Sequence, residues 1–332
     1  MLLYVFSFLF ALCLCLRLTP IVRKAAIKYD IVDHPDDKLK KHQNPVAYLG
    51  GLSIYLSFLF TLALTFDFSR EVLGLLLSGT IIVMLGVVDY LRPLSPRLKL
   101  VGQAIAIFAL MKSGIYIKVV FLPVSVCLLI TFFWLMATTN AFNIIDIMDG
   151  LSTGVGLIIA GVLFVVAVLN ERPMIAVLTI SLAGVLLGFL KYNFEPASMY
   201  LGDMGSMFIG LMLGALSMVG SYTENNSVGC LAPLVILGLP LFDTLFVIYI
   251  RWRRGMPVIY GSPDHFALRL RKWKLTTKQT VILSYAVSLL LGLSGIAMML
   301  SPSIIISLGI VLFFMISGLV VAWFLKKVEM MM

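Results

Sequence analysis

The stretch VVFLPVSVCLLITFFWLMATTNAFNIIDIMDG, residues 119–150, joins an apolar run of membrane-spanning length to two aspartates that follow it directly. A run of about 20 apolar residues is long enough to cross the hydrocarbon core of a bilayer as a helix. Asp146 and Asp149 then lie where such a helix would leave the membrane. The stretch therefore predicts a transmembrane helix that ends at a polar site bearing carboxylates.

The rest of the chain repeats this apolar character. Of its 332 residues, 61% are hydrophobic and only 12% are charged, whereas a water-soluble domain would carry about 25% charged residues. This composition predicts a single all-α polytopic membrane domain, residues 1–332, and no nucleic acid polymer as a partner. Its apolar segments predict about eleven transmembrane helices, at roughly 2–22, 47–66, 71–88, 99–111, 118–138, 151–169, 173–190, 205–221, 228–250, 278–300 and 303–325.

Basic residues are distributed unequally between the two sides of the predicted membrane. Twenty of the 25 Lys and Arg lie on one side and four on the other. Lys and Arg concentrate in cytoplasmic loops, so the N-terminus is expected outside and the C-terminus in the cytoplasm. The predicted cytoplasmic loops are about 23–46, 89–99, 139–150, 191–204 and 251–277. Twelve of the 16 acidic residues also lie on or near this side, which favours a polar, metal-dependent site facing the cytoplasm.

Asp146 and Asp149 are the first candidates for that site. They are three residues apart and would share one face of a helical turn. Two close carboxylates repel each other unless a cation or a proton lies between them, and hard oxygen ligands suit Mg²⁺. Asn140 and Asn143 repeat the same three-residue step. The alternative is that Asp149, directly before Gly150, caps the next helix, and the residues alone leave both interpretations open.

Three further aspartates occupy positions with two interpretations each. Asp203, in GDMGSMFIG at 202–210, is placed to hold a metal that bridges phosphates at a helix N-terminus, or to act as a plain helix cap. Asp89 precedes a basic loop, which fits either a lipid phosphate or anchoring at lipid headgroups. Asp243 lies within an apolar run, where a carboxylate is costly and marks either a functional group or a buried structural pair.

The basic segments at 33–51 and 251–274 offer lysines, arginines and histidines near the membrane surface, among them Lys41 and His42. Such residues bind diphosphates and anionic lipids alike. They also occur as ordinary anchors on the cytoplasmic side of membrane proteins.

Taken in order, these motifs resemble the polyprenyl-phosphate N-acetylhexosamine-1-phosphate transferases of glycosyltransferase family 4. That family includes undecaprenyl-phosphate N-acetylglucosaminyl-1-phosphate transferases and phospho-N-acetylmuramoyl-pentapeptide transferases, and the resemblance covers about residues 30–271. The matching residues are Asp33, Pro35, His42, Pro45, Gly50 and Gly51 for DxP…H…P…GG; Asp89 with Lys99 and Gln103 for the acidic segment after the third span; Asn140, Ala141, Asn143, Asp146, Asp149, Gly150 and Leu151 for NAxNxxDxxDGL; Gly202, Asp203, Gly205 and Ser206 for GDxGS; and Pro240 through Thr244 with Arg251 for PLFDT…R.

The resemblance implies a specific reaction. A polyprenyl phosphate, such as undecaprenyl phosphate, attacks the β-phosphorus of a UDP-N-acetylamino sugar, with UDP-GlcNAc as the expected donor. UMP leaves, and a lipid-diphosphate sugar results, as the first membrane step of cell-envelope glycan synthesis, for example of cell wall or lipopolysaccharide O-antigen. The implied cofactor is Mg²⁺, with Mn²⁺ as the alternative, and a homodimer is left open.

The resemblance also implies roles for individual residues. Asp203 would be a metal ligand together with Asp149; Asp146 and Asp149 would shape the nucleotide and metal site; and Asp89 would orient or deprotonate the lipid phosphate. The implied catalytic residues are Asp89, Asp146 and Asp149. The implied substrate-binding residues are Lys41, His42, Lys99, Asn140, Asn143, Arg251, His265 and Arg269.

This chain departs from the family pattern at two functional positions. Tyr90 follows Asp89 where the family usually has a second aspartate, and a tyrosine, with a pKa near 10, cannot replace a carboxylate as a hard-metal ligand at neutral pH. The histidine-rich HxHH element is reduced to HFAL, which keeps only His265. Two alternative functions therefore stay open: a transporter, which would place charges near the bilayer midplane on repeated, broken helices, and a non-catalytic membrane protein.

Overall fold

The computed structural model describes residues 1–33, 46–65, 69–119, 122–257, 262–328 and 330. Over these residues the protein is an α-helical polytopic membrane protein, as predicted, with thirteen α-helices, one 3-10 helix and one two-stranded sheet. The α-helices are α1 Leu2–Lys28, α2 Gly50–Thr65, α3 Arg70–Leu91, α4 Pro96–Lys112, α5 Val124–Ile145, α6 Leu151–Leu169, α7 Pro173–Asn193, α8 Gly202–Met218, α9 Ala232–Ile236, α10 Gly238–Arg253, α11 Phe266–Lys272, α12 Thr277–Leu300 and α13 Ile304–Leu325.

Seven helices within the described residues are long and apolar enough to cross a membrane, namely α1, α3, α5, α6, α7, α12 and α13. Helices α2 and α8 are apolar but shorter. The predicted span at 228–250 is broken: the 3-10 helix Ser227–Leu231 and α9 meet α10 at a bend of 72°. Each of the eleven predicted segments thus contains helix, while their number as complete spans stays a prediction.

Serine and proline set the boundary between α3 and α4, where part of the predicted site lies. Ser95 precedes α4 and its side chain accepts a hydrogen bond from the backbone N–H of Leu98, and Pro96 takes the first helical position. Serine satisfies a free N–H at a helix start, and proline loses nothing there because that N–H has no helical partner. The chain therefore leaves α3 just after Asp89 and enters α4 just before Lys99.

Helix α8 lies at the centre of the bundle and packs against α2, α3, α5 and α6. Its first turn is held by close backbone approach, because a Cβ atom on Gly51 would lie 2.3 Å from the backbone nitrogen of Gly205. A Cβ atom on Gly86 of α3 would likewise lie 2.4 Å from the Cα of Met204. Glycine at both crossings lets α2 and α3 press against the start of α8, which fixes the position of Asp203.

The small antiparallel sheet was not predicted. Its strands, β1 (Val32–Asp33) and β2 (Val46–Ala47), have two residues each, too few to show a periodic pattern in the sequence. Ala47 also forms a parallel bridge with Met199, just before α8. The segment between the strands includes Lys41 and His42, which both lie outside the described residues.

Cross-helix hydrogen bonds distinguish the two ends of the bundle. At the end where α8 begins, the Tyr285 hydroxyl of α12 donates to the carbonyl oxygen of Gly150 at 2.6 Å. At the other end, the Asn170 amide donates to the carbonyl oxygen of Ser221 at 2.7 Å. We call the end where α8 begins the site face, and the other the opposite face.

Candidate functional site

Two aspartates and a lysine from three helices meet on the site face. The Lys99 Nζ of α4 lies 2.8 Å from the Asp89 Oδ2 of α3 and 2.6 Å from the Asp203 Oδ2 of α8. The second Asp89 oxygen accepts a hydrogen bond from the backbone N–H of Leu94 at 2.8 Å. The three side chains keep 15%, 26% and 38% of their surface accessible for Asp89, Lys99 and Asp203. We call Asp89, Lys99 and Asp203 the open triad.

Asn140 and Asn143 lie one turn apart on the last part of α5, as their spacing predicted. The Asn140 amide nitrogen donates to the Gln103 Oε1 of α4 at 2.8 Å, and the Gln103 amide nitrogen donates back to the Asn140 Oδ1 at 3.3 Å. The Asn143 amide nitrogen donates to the Ser206 Oγ of α8 at 3.0 Å. These amides join α5 to the two helices that carry Lys99 and Asp203.

The prediction that Asp146 and Asp149 share a helical face is wrong. Helix α5 ends at Ile145, Asp146 is its C-cap, and residues 146–150 form a non-helical turn. Gly150, with φ at +77°, gives the left-handed backbone that starts α6, and no side chain caps that helix. The Asp149 Oδ2 instead accepts a hydrogen bond from the backbone N–H of Ala197 at 2.8 Å. Asp149 is therefore not the cap that was considered as its alternative role.

Asp146, Asp149 and Asp203 nevertheless lie within electrostatic reach of one another. Burial raises the pKa of the half-buried Asp146 carboxyl well above its ordinary value, and the negative charges of Asp203 and Asp149 raise it further. Desolvation and like charge both disfavour the ionised form of a carboxyl group. The ammonium group of Lys99 therefore does not neutralise all of the negative charge that the neighbouring carboxylates place around Asp146.

This donor set fits a divalent cation that is shared with a phosphate. Among the described residues, no three His, Cys, Asp or Glu side chains converge closely enough to hold a metal ion by themselves. Mg²⁺ commonly takes only one or two protein carboxylates and completes its shell with water and substrate phosphates. Asp203 and Asp149 would supply such hard oxygens, and a cation held by them would reduce the repulsion that acts on Asp146.

The surroundings of His265 do not support its predicted role in substrate binding. The His265 Nδ1 lies 2.8 Å from the Asp243 Oδ2, and the backbone N–H of Phe266 donates to the other Asp243 oxygen at 2.9 Å. The side chains of His265 and Asp243 are 7% and 0% exposed. Asp243 therefore belongs to a buried structural pair, which was one of its two predicted interpretations.

Arg269 is also structural rather than open to a phosphate. Its guanidinium group is fully buried, and its Nε and Nη2 donate to the main-chain and side-chain oxygens of Asp264 at 3.2 and 2.5 Å. Its Nη1 donates to the carbonyl oxygens of Leu325 and Val328 at 3.0 and 2.6 Å. All three guanidinium nitrogens thus have partners, which tie α11 to the end of α13. We call Asp243, His265, Asp264 and Arg269 the closed cluster.

Three other predicted substrate-binding residues are not joined to the open triad by the contacts described above. Lys41 and His42 lie outside the described residues. Arg251 is buried at the end of α10, where its Nε donates to the carbonyl oxygen of Pro257 at 2.7 Å. A contact of these residues with substrate stays a prediction.

Asn193, which the sequence motifs did not include, holds the acidic turn in place. Its Oδ1 accepts hydrogen bonds from the Gly150 backbone N–H at 3.2 Å and from the Thr153 hydroxyl at 2.7 Å. Its amide nitrogen donates to the carbonyl oxygen of Met199 at 3.1 Å. The signal available in the sequence was an asparagine at the end of an apolar segment, because an amide that is buried there requires hydrogen-bond partners.

Tyr90 contributes an aromatic contact where the family resemblance implies a second carboxylate. The Tyr48 ring lies with its centroid 5.5 Å from that of Tyr90 and 5.7 Å from that of Tyr200. Burial, together with the charges of Asp149 and Asp33, raises the pKa of the Tyr200 hydroxyl to about 12. These rings form an uncharged rim beside the acidic site.

Comparisons with known proteins place this site within a family. The model of glycosyl transferase family 4 matches residues 72–221, a range that contains the open triad, Asp146 and Asp149. The chain is 30% identical over 327 residues to a probable undecaprenyl-phosphate N-acetylglucosaminyl 1-phosphate transferase of Bacillus subtilis (strain 168), covering 96% of this chain and 91% of the relative.

Two further relatives carry related names. A decaprenyl-phosphate N-acetylglucosaminephosphotransferase of Mycolicibacterium smegmatis is 30% identical over 303 residues, covering 80% of this chain and 74% of the relative. A phospho-N-acetylmuramoyl-pentapeptide-transferase of Bacillus cytotoxicus is 29% identical over 318 residues, covering 87% and 94%. With motifs, helices and acidic site all in agreement, this chain belongs to glycosyl transferase family 4, the family of the polyprenyl-phosphate N-acetylhexosamine-1-phosphate transferases.

Proposed function

We propose that this protein transfers N-acetylglucosamine 1-phosphate from UDP-GlcNAc to a polyprenyl phosphate and releases UMP. The observation that carries the proposal is the convergence of Asp89, Lys99 and Asp203 beside Asp146 and Asp149 on one face of a membrane protein. Two of the three relatives, an undecaprenyl-phosphate and a decaprenyl-phosphate enzyme, are named as N-acetylglucosamine-phosphate transferases with a polyprenyl acceptor.

The open triad suits this reaction because its reactants are anions. The acceptor phosphate, the donor diphosphate and the departing UMP all carry negative charge, so catalysis requires charge neutralisation and alignment more than covalent chemistry. Lys99 supplies a cation that the carboxylates of Asp89 and Asp203 hold in place from two sides. A phosphate that enters the site would take over part of the contact that these carboxylates make with Lys99.

Asp89 would orient the acceptor. One of its oxygens is fixed by the Leu94 N–H, and the other faces Lys99. Deprotonation of the acceptor by Asp89 would contribute little near neutral pH, because the second pKa of a phosphate monoester is about 6. Its main contribution would then be to set the angle at which the acceptor oxygen approaches the β-phosphorus.

Asp203, with Asp149, would hold the divalent cation, Mg²⁺ or alternatively Mn²⁺. When bound, the cation would supply neutralisation of the diphosphate charge. Asn140 and Asn143 keep α4, α5 and α8 in register beneath the site through Gln103 and Ser206. The helices that carry Lys99 and Asp203 would thereby stay aligned when the donor binds.

We also propose that the site face lies in the cytoplasm of a bacterial cell, with about eleven spans, an outside N-terminus and a cytoplasmic C-terminus. The distribution of Lys and Arg supports this orientation, because twenty of 25 fall on the predicted cytoplasmic segments. The reaction would then be the first membrane step in the synthesis of a cell-envelope glycan.

The test is a transfer assay with the full chain in detergent. Labelled UDP-GlcNAc and undecaprenyl phosphate are supplied with and without Mg²⁺, and both lipid-linked label and UMP are measured. We expect equal amounts of the two products, and neither when the lipid or the metal is omitted. Absence of lipid-linked product would reject the proposal. Uptake of UDP-GlcNAc into sealed vesicles without lipid product would instead support transport.

A further inference from the structure

A cavity of about 360 Å³ lies between the end of α10 and the end of α13 and shares no residue with the open triad. Arg269 of α11 donates to carbonyl groups at the end of α13, which places this end of the helix next to the closed cluster. We call this space the basic cavity, and its lining residues are Tyr249, Ile250, Arg253, Arg254, Lys326 and Lys327. Four of these six residues are cationic and none is acidic, so the cavity is suited to an anion.

Among the residues that the structure describes, the contacts around the basic cavity leave much of its positive charge uncompensated. Arg254 pairs with the Asp264 Oδ1 at 3.0 Å, but the same oxygen also binds Arg269, so one negative charge is shared between two guanidinium groups. The Arg253 Nη1 donates to the neutral Tyr249 hydroxyl at 3.3 Å. The Lys327 Nζ lies 3.4 Å from the centroid of the Trp323 ring, a contact that leaves the ammonium charge in place.

The position of the cavity indicates that its anion is part of a lipid. Apart from the buried Asp243, both helices that line it are largely apolar up to these ends, and Trp252 and Trp323 are exposed beside it. Tryptophan concentrates at the level of the lipid headgroups. The outer surface of α13 leading to the cavity is also apolar and exposed, with Ile316 and Leu319 among its residues. An anionic headgroup in the cavity could therefore keep its acyl chains against α13.

We propose that the basic cavity binds the headgroup of an anionic phospholipid of the phosphatidylglycerol type. Cationic pockets between membrane helices on the cytoplasmic side suit such headgroups, and each Lys or Arg near an anionic surface strengthens binding by about fivefold. Because Arg254 lines the cavity and also pairs with Asp264, the bound lipid would brace α13 against α10 and α11. The inference does not depend on the proposed transfer reaction, since it concerns binding alone.

The experiment titrates the full chain in dodecyl maltoside with dioctanoyl phosphatidylglycerol and, separately, with the zwitterionic dioctanoyl phosphatidylcholine. The thermal unfolding midpoint reports binding, because a ligand that binds only the folded state raises it. We expect the anionic lipid to raise the midpoint at lower concentration than the zwitterionic one. Equal effects of the two lipids would overturn the proposal.

The decisive variant combines Arg253→Gln with Lys326→Gln, one cation from each helix end. Its matched control combines Arg271→Gln with Lys278→Gln, which removes the same charge from exposed positions outside the cavity. We expect about 25-fold weaker binding of phosphatidylglycerol in the cavity variant, at about fivefold per cation, and at most a minor change in the control. An equal loss in both would mean that the lipid responds to overall charge and would overturn the proposal.

Two further arms separate the phospholipid from other phosphates. Inorganic phosphate and undecaprenyl phosphate are titrated under the same conditions. We expect that the binding of neither one depends on Arg253 and Lys326. Dependence of either one on this pair would assign the cavity to a soluble anion or to the acceptor lipid and would overturn the proposal. If the glutamine variant is unstable before lipid is added, Arg253→Lys with Lys326→Arg takes its place. That variant must retain the binding of phosphatidylglycerol, because it retains both charges.

Discussion

The open triad and the closed cluster contain the same kinds of side chain but differ in their access to solvent. In the open triad, Asp89, Lys99 and Asp203 keep 15% to 38% of their side-chain surface exposed. In the closed cluster, the acid–base pairs are between 0% and 7% exposed. An ion pair in contact with water contributes little to stability. Either side chain can therefore leave its partner and bind a ligand instead at a small cost in free energy. A buried charge that loses its partner is strongly destabilising.

This contrast separates two roles that the family motifs did not distinguish. Lys99, His265 and Arg269 were all predicted to bind substrate. Only Lys99 lies where a phosphate can reach it, while Arg269 uses all three guanidinium nitrogens within the fold. We therefore expect changes in the open triad to affect transfer, and changes in the closed cluster to affect stability.

The largest effect is expected from Asp203→Asn. The amide removes a negative charge from the position proposed to hold the cation, and losing one strong electrostatic contact to a transition state lowers turnover by about 10²–10³. The loss of turnover is measured as transfer of labelled sugar phosphate in detergent. Glu224→Gln, an exposed carboxylate near the opposite face, is the control and should keep its rate. A near-normal rate in Asp203→Asn would reject the ligand role.

The next effect is expected from Arg269→Gln, and it concerns stability. The substitution leaves Asp264 with Arg254 as its single guanidinium partner and takes the donor from the carbonyl oxygens of Leu325 and Val328. Each buried polar group that is left unsatisfied costs about 1–3 kcal/mol. The thermal unfolding midpoint in detergent should fall clearly. Arg271→Gln changes an exposed arginine of the same helix and should leave the midpoint nearly unchanged. Equal midpoints for the two variants would show that the closed cluster does not stabilise the fold.

A smaller effect, dependent on pH, is expected from Asp146→Asn in buffer with EDTA. The pKa of Asp146 is raised in the folded protein, so its ionised form costs stability at pH above that folded-state value. The variant should therefore unfold at a higher temperature than the original protein at pH 8. This gain should fade as pH falls toward about 3.9, the ordinary pKa of aspartate. A gain that is the same at every pH would contradict this electrostatic origin.

The smallest effect is expected from Tyr90→Phe. The ring that packs against Tyr48 at 5.5 Å is retained, and a phenol near neutral pH is not a ligand for a hard metal. We expect the transfer rate to fall by no more than about tenfold, since a single neutral hydrogen bond contributes about 0.5–1.5 kcal/mol. A large loss would show that the Tyr90 hydroxyl has taken over part of the role of the family's second carboxylate.

The sequence was sufficient for those features that depend on local composition. Long apolar segments predicted where helices lie, and the step from Asn140 to Asn143 predicted one face of α5, because neighbours on a helix are three or four residues apart. The motifs also predicted which aspartates approach one another. The contact between Lys99 and Asp203, which are 104 residues apart, was not predicted, because the family resemblance only assigned both residues to one site.

The features that the sequence left out depend on burial and on backbone breaks. The end of α5 at Ile145 is set by a turn that Gly150 and Asn193 stabilise from elsewhere in the fold. The 72° bend before α10 lies at Gly238, close to Pro240, but the apolar run there was predicted as one continuous span. The burial of Arg269 depends on carbonyl groups of α13, 56 and 59 residues away. Contacts between distant segments of this kind leave no periodic pattern to read.

The most direct test of the division between the two clusters compares the same substitution in each. Asp203→Asn and Asp264→Asn are purified in parallel, and the transfer rate and the thermal unfolding midpoint are measured on the same preparations with Mg²⁺ present. We predict that Asp203→Asn loses metal-dependent transfer and keeps its midpoint, whereas Asp264→Asn lowers the midpoint and retains transfer at temperatures where it stays folded. Retained transfer in Asp203→Asn, or lost transfer in a fully folded Asp264→Asn, would contradict the assignment of chemistry to the open triad.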